Sequence, residues 1–183
     1  LPPRFRLADV PGLSNVHKAL AELGFSPGSP THVQLSTPAA LHGLVSDSMA
    51  HVLEQQPDAT WQAAFVAAGA AGKDAREEAE RLAILQRSPF SLFAEVREAG
   101  RVLSVGTAHV GHGLLSLHGI RTVAAARGRG LARHTLAALG GTGQARGAQR
   151  VLLQVEADNQ AALALYAHAG FTHAWTYRYW VER

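Results

Sequence analysis

The chain has 183 residues, 47% of them apolar and 17% charged, which excludes a largely disordered protein. No residue is a cysteine, which excludes disulfide frameworks, zinc–thiolate sites, iron–sulfur clusters and a thiol nucleophile. Lys plus Arg total 17 against 14 Asp plus Glu, a formal net charge of +3, and the arginines are scattered rather than gathered into the stripe a nucleic acid would need.

The length leaves room for one full domain and a smaller piece. No apolar run reaches the ~18 residues that cross a bilayer, and Leu1-Pro2-Pro3-Arg4-Phe5-Arg6 is not followed by a signal-peptide stretch. The expectation is a cytoplasmic protein with no membrane and no nucleic-acid partner.

In chain order, Ala19-Leu20-Ala21-Glu22-Leu23 ends a helix at Gly24-Phe25 and leads to a strand at His32–Leu35. A weak strand region spans 47–58 around His51, Val52 and Leu53. Asp58 can cap a helix that carries Trp61, Phe65 and Ala68 on one face, interrupted by Gly69 and Gly72. A second helix runs from Asp74 to Gln86, acidic early at Glu77, Glu78 and Glu80 and apolar at Ala79, Leu82, Ile84 and Leu85.

The periodicity then changes to strand at Ser91–Arg97, Arg101–His109 and Leu114–Thr122, with turns at Glu98-Ala99-Gly100 and Gly111-His112-Gly113. Connections this short favour an antiparallel meander. A helix follows from Leu131 to Leu139, with Gly140-Gly141 expected to stop it. Val151–Val155 reads as a buried strand. Asp158 or Asn159 caps a helix through Ala162, Leu165, Tyr166 and Ala169, which Gly170 ends. Phe171–Val181 closes as a strand with Trp175, Tyr177 and Tyr179 on one face. Aligning Gly24-Phe25 with Gly170-Phe171 makes the beginning of the chain an echo of its end, with Leu20 opposite Tyr166.

The segment Arg127-Gly128-Arg129-Gly130-Leu131-Ala132 lies where a strand runs into a helix. The first amides of a helix lack internal partners, and they and the helix dipole favour an anion. Gly128 and Gly130 carry no Cβ, so a phosphate can approach the backbone. Arg127, Arg129 and Arg133 can add charge-assisted contacts, and with Arg121 they make a cluster suited to a small polyanion. Arg133 stands where a dinucleotide fingerprint needs its third glycine, and no Gly-Lys-Ser/Thr is present for a P-loop. A Gly-rich turn with incidental arginines remains the alternative for this segment alone. Asn159 and Tyr166 fall about two turns apart on one helix face. Singly, each has a plain reading, an N-cap and a core aromatic.

Together the two segments resemble the GCN5-related N-acetyltransferase (GNAT) superfamily. Arg127 through Ala132 satisfies its Arg/Gln-x-x-Gly-x-Gly/Ala loop, and Asn159 through Ala162, Leu165-Tyr166 and Gly170-Phe171 are similar to its downstream motif. The element order also matches, over about residues 45–183. The resemblance implies an α+β fold, a mixed, mostly antiparallel sheet flanked by helices. It implies acetyl-CoA as cosubstrate and no metal. Backbone groups of Ile120 and Thr122 would pair with the pantetheine. Amides of residues 128–132 would cradle the pyrophosphate, and Asn159 would contact the cofactor arm.

The implied reaction is direct transfer of acetyl to a primary amine on a small molecule or peptide, with Tyr166 as general acid. The alternative is a non-catalytic acyl-CoA-binding or regulatory module. The strand before the loop offers Ser116 and His118 but no carboxylate, so the base is open between His118, Glu156 and water. His109 and His112 read as solvated rather than metal-ligating. The region 58–87 would shape the acceptor pocket, and Trp61, Phe65 and its glutamates suit a cationic, partly apolar acceptor. Some members of the superfamily carry two such domains. On that basis residues 1–40 are expected as a degenerate half-domain and 41–183 as the complete catalytic domain. The chain would be the C-terminal part of a tandem protein, with residues 1–40 packed on that domain or on a second subunit of a homodimer.

Overall fold

The computed structural model describes residues 2–53, 56–69 and 74–182. The first part of the chain forms β1 (Arg4–Ala8), α1 (Ser14–Glu22), β2 (Phe25–Pro27), β3 (Thr31–Ser36) and α2 (Pro38–His42). Next come β4 (Ala50–Val52), α3 (Ala59–Gly69), α4 (Ala75–Gln86), β5 (Ser91–Glu98), β6 (Arg101–Gly111) and β7 (Leu114–Thr122). The last are α5 (Leu131–Ala145), β8 (Arg150–Glu156), α6 (Gln160–His168) and β9 (Thr172–Glu182). The protein is α+β with mixed strand pairing. Two compact units divide it, residues 36–152 and residues 1–35 with 153–183.

In the unit 36–152, β4, β5, β6 and β7 pair antiparallel in sequence order. β8 joins in parallel, Leu114–Ser116 opposite Arg150–Leu152. The expected meander is therefore present, and so is the expected cap of α3: Asp58 Oδ1 accepts from the Trp61 amide at 2.7 Å. Gly72 lies outside the described residues. Asp74 caps α4 by accepting from the Arg76 amide at 2.8 Å. One face of the sheet is sealed by Trp61, Phe65, Leu82, Phe93, Val102 and Val105. Trp61 stacks on Phe65 at 5.3 Å, and its indole N–H donates to the Ala94 carbonyl at 3.0 Å.

Three expectations change here. α5 does not stop at Gly140-Gly141 but continues to Ala145. Those glycines are a packing surface. A Cβ on Gly140 would come within 2.5 Å of Leu41 Cβ, and one on Gly143 within 2.8 Å of Leu115 Cδ2. Close approach of α2 and β7 outweighs the helix cost of glycine, about 1 kcal/mol each. On α4, Ile84 is 65% exposed while Glu78 is buried. The weak strand region shortens to β4 at Ala50–Val52.

In the other unit β9 is central. It pairs antiparallel with β1 (Arg4 opposite Val181), with β3 (Thr31 opposite Tyr177) and with β2 (Phe25 opposite Glu182). β1 and β2 were not expected, because a short strand is specified by a partner far away in sequence. The helices at the two ends stop in the same way. Gly24 and Gly170 have φ of 87° and 72°, and each donates its amide at 3.1 Å to the carbonyl three residues earlier. Leu20 and Tyr166 are both 8% exposed.

Candidate functional site

The loop after β7 leads into α5 through two left-handed glycines. Gly128 and Gly130 have φ of 77° and 75°, left-handed backbone that other residues adopt only at a cost of about 1–2 kcal/mol. Gly130 is the N-cap of α5 and supplies no side-chain acceptor. The Arg133 amide turns back to the Gly130 carbonyl at 2.9 Å, while Leu131 and Ala132 stand in the first turn, where amides lack intrahelical partners. A Cβ on Gly128 would meet nothing within 4 Å, so the approach is open.

The four arginines separate. Arg127 Nε reaches the Thr122 carbonyl at 3.4 Å and pins the loop to the end of β7. Arg129 is tied to both oxygens of Glu98, at 2.6 and 2.9 Å. The Arg133 guanidinium lies beside Gly130, 2.8 Å from where its Cβ would be. Arg121 does not belong to the cluster. Its guanidinium donates to Glu78 Oε2 at 2.5 Å and to the Phe65 carbonyl at 2.6 Å, 3.8 Å over the Phe65 ring.

The physical reason is a β-bulge. His118 pairs with Thr107 and Arg121 with Val105, so Gly119 and Ile120 oppose Gly106 alone. One extra residue reverses the alternation and sends Arg121 to the α3–α4 face. Gly119 has φ of 56°, and a Cβ there would come within 2.6 Å of Phe65 Cε2. Ile120 and Thr122 fall on the opposite face. The Ile120 side chain lies near Gly106, and Thr122 Oγ1 donates to Ser104 Oγ at 3.3 Å. Within this unit the β7–β8 ladder covers only Leu114–Ser116, so the backbone edge from Leu117 to Thr122 has no strand partner there.

Glu78 and Arg121 were missed as a pair in the sequence. The available signal was that Glu78, four residues before Leu82, lies on the apolar stripe of its helix. Burial lowers the Arg121 pKa more than Glu78 raises it. Trp61 and Phe65 are fully buried and Glu78 is committed, so none of the three lines an acceptor pocket as expected. Burial, aided by the charges of Arg81 and His109, pushes the His118 imidazole below the usual histidine range, which leaves it neutral at pH 7. His109 is not simply solvated; its Nδ1 meets Ser88 Oγ at 3.1 Å.

Asn159 and Tyr166 lie in the other unit. Asn159 Oδ1 caps α6 by accepting from the Ala162 amide at 3.1 Å. Tyr166 packs edge-on against Phe171 at 5.6 Å, and burial raises its pKa to about 12. Glu156, at the end of β8, is exposed. Among the described residues no group of three or more His, Asp or Glu could hold a metal ion.

Residues 49–171 match the model of the acetyltransferase (GNAT) family. The chain belongs to that family. No curated protein matches it. Solved structures share its fold at low identity. A functionally unknown conserved protein from Staphylococcus epidermidis superposes with a TM-score of 0.74 at 12% identity, covering 98% of this chain and 71% of that one. A tandem GNAT protein from the clavulanic acid biosynthesis pathway gives 0.68 at 15%, covering 97% and 62%. The ribosomal-protein-S18-alanine N-acetyltransferase of Escherichia coli gives 0.58 at 19%, covering 73% and 92%. The chain thus spans less than two thirds of the tandem protein's length. The GNAT fold is one of acyl transfer, and the family uses acetyl-CoA. No described helix is long and apolar enough to cross a membrane.

Proposed function

We propose that this GNAT protein transfers the acetyl group of acetyl-CoA to a primary amine. The observation that carries the reading is the uncapped start of α5 behind two left-handed glycines. Its residues suit the diphosphate of coenzyme A: amides of Gly128–Ala132 would hold the phosphates, with Arg127 and Arg133 adding charge. The edge of β7 at Ile120 and Thr122 offers backbone groups to an extended pantetheine arm. Asn159 would add a polar contact to that arm.

When bound, acetyl-CoA supplies an activated acyl carbon. The amine nitrogen forms the new bond to it as the carbon–sulfur bond breaks. Neutral His118 can take the first proton from the ammonium, directly or through water, and pass it to solvent. The second N–H proton would replace, directly or through water, the one that Tyr166 gives to the departing sulfur. Tyr166, with a pKa of about 12, keeps its proton across the neutral range and would donate to the departing sulfur rather than act as a base. Holding both reactants together supplies much of the acceleration.

A thiol-release assay with acetyl-CoA over a panel of amines tests the reading. Tyr166→Phe is expected to lower turnover and leave the Kd for CoA nearly unchanged. Equal loss of both would assign Tyr166 to packing. Tight CoA binding with no release for any amine would favour a non-catalytic acyl-CoA-binding module.

A further inference from the structure

Three hydroxyls tie together the two ends of the glycine loop. Thr122 is the last residue of β7 and Thr135 lies in the second turn of α5, so the loop falls between them. Both reach Ser104 on β6. Thr122 Oγ1 donates to Ser104 Oγ at 3.3 Å, and Thr135 Oγ1 lies 2.9 Å from the same atom. Ser104 Oγ gives its own proton to the Arg121 carbonyl at 3.0 Å. Thr135 is therefore the donor to Ser104, and its 3.4 Å contact with the Leu131 carbonyl is the weaker branch of that proton. Ser104 Oγ then donates once and accepts twice, the full capacity of a hydroxyl.

Ser104 and Thr135 are both buried. Hydroxyls at such depth cost stability unless they are satisfied, and alanine or valine would fill the same space without that cost. The loop does not need them to stay close to the sheet. Ala126 and Leu131 pack against Val96, with Leu103 and Val123 alongside, and form an apolar seat for the loop. Apolar contact is non-directional, so it fixes nearness rather than register. The hydroxyl bonds supply the direction and set where the first turn of α5 lies along the end of β7. Thr135 adds a steric stop. A Cβ on Gly106 would come within 2.7 Å of both Thr135 Cγ2 and Ile120 Cδ1, so the threonine methyl and the Ile120 side chain close on the same bare spot.

We propose that Ser104 and Thr135 are positioning residues for coenzyme A. Both are buried and act through the backbone they hold. Their hydroxyl strut keeps the first turn of α5 at the spacing from the β7 edge that lets one molecule lay its pantetheine arm along Ile120 and Thr122 and its diphosphate on the amides of Gly128–Ala132. The proposal rests on the acyl-CoA reading above, and its test keeps the two apart.

Thr135→Val keeps the shape and the methyl and removes only the hydroxyl. It leaves no buried donor without an acceptor, because Thr122 still donates to Ser104 and Ser104 to the Arg121 carbonyl. Calorimetric titration of the folded variant should show CoA binding weakened about tenfold and pantetheine binding within about twofold of the wild type. Thr135→Ser, which keeps the hydroxyl, should restore the wild-type ratio of the two affinities. Ser104→Ala, which removes the shared acceptor, should lower that ratio by the same factor as Thr135→Val. A strut that served stability alone would shift the unfolding midpoint and leave the ratio where it was. An unchanged ratio in Thr135→Val or in Ser104→Ala overturns the proposal, and so does a ratio in Thr135→Ser as poor as in Thr135→Val. Wild-type protein that binds CoA no more tightly than pantetheine would instead defeat the acyl-CoA reading itself.

Discussion

Two helix starts in this protein solve the same problem in opposite ways. α6 opens on Asn159, whose side chain satisfies the Ala162 amide at 3.1 Å. α5 opens on Gly130, in left-handed backbone, with no side chain to do so. Orphan amides at a helix start are ordinarily covered by a cap or by water. The contrast teaches that the first turn of α5 is left without a side-chain cap, while α6 completes itself. On the proposed reading the first would receive an anion while the second is a structural cap, and the two should respond differently to substitution.

The largest effect is expected away from both helix starts, at the pair that fixes the strand leading to the uncapped one. Glu78→Ala leaves Arg121 buried without its carboxylate and should cost about 3–5 kcal/mol of stability, read from denaturant unfolding. A loss under 1 kcal/mol would mean that Arg121 reaches water without it.

On the α6 side, the buried phenol two turns beyond the cap sets a pH dependence. The Tyr166 pKa is raised from 10.0 to about 12, so the folded state keeps a proton that the unfolded state releases. That contribution is fully present below pH 10 and declines as pH rises toward 12, by roughly 2–3 kcal/mol in all. Tyr166→Phe should flatten this part of the stability curve. An unchanged slope would place the phenol in water.

The loop glycines sharpen the comparison with an internal control. Gly128 and Gly100 both have φ of 77°, and a Cβ at either would meet nothing within 4 Å. Alanine at each should therefore cost the same stability, about 1–2 kcal/mol. Only Gly128→Ala should also weaken CoA binding, by about tenfold or more. Equal CoA affinity in the two variants would detach the loop from the ligand. The smallest effect belongs to the self-completed start: Asn159→Ala should lower stability by about 1 kcal/mol through the lost cap.

What was legible in the sequence was local. Asp58, Asp74 and Asn159 cap their helices because a cap reaches only two or three residues along the chain. β5, β6 and β7 follow from alternation and short turns, and the glycine loop from its own spacing. The remainder depends on distant partners. Gly140 and Gly143 look like breakers until Leu41 and Leu115 are placed against them. Glu78 looks like a solvated glutamate until Arg121, 43 residues away, is turned toward it. The single extra residue at Gly119–Ile120 decides which way Arg121 faces, and no pattern of residue types announces a bulge of that kind. Glu78 could not be assigned as a free acid for the same reason, since its partner lies on another element.

Calorimetry of CoA against pantetheine, which lacks the diphosphate, tests the central claim most directly. If the bare amides of Gly128–Ala132 supply the main hold, CoA should bind at least ~100-fold more tightly than pantetheine. Pantetheine binding as tightly as CoA, or no heat from CoA at millimolar concentration, would contradict the account.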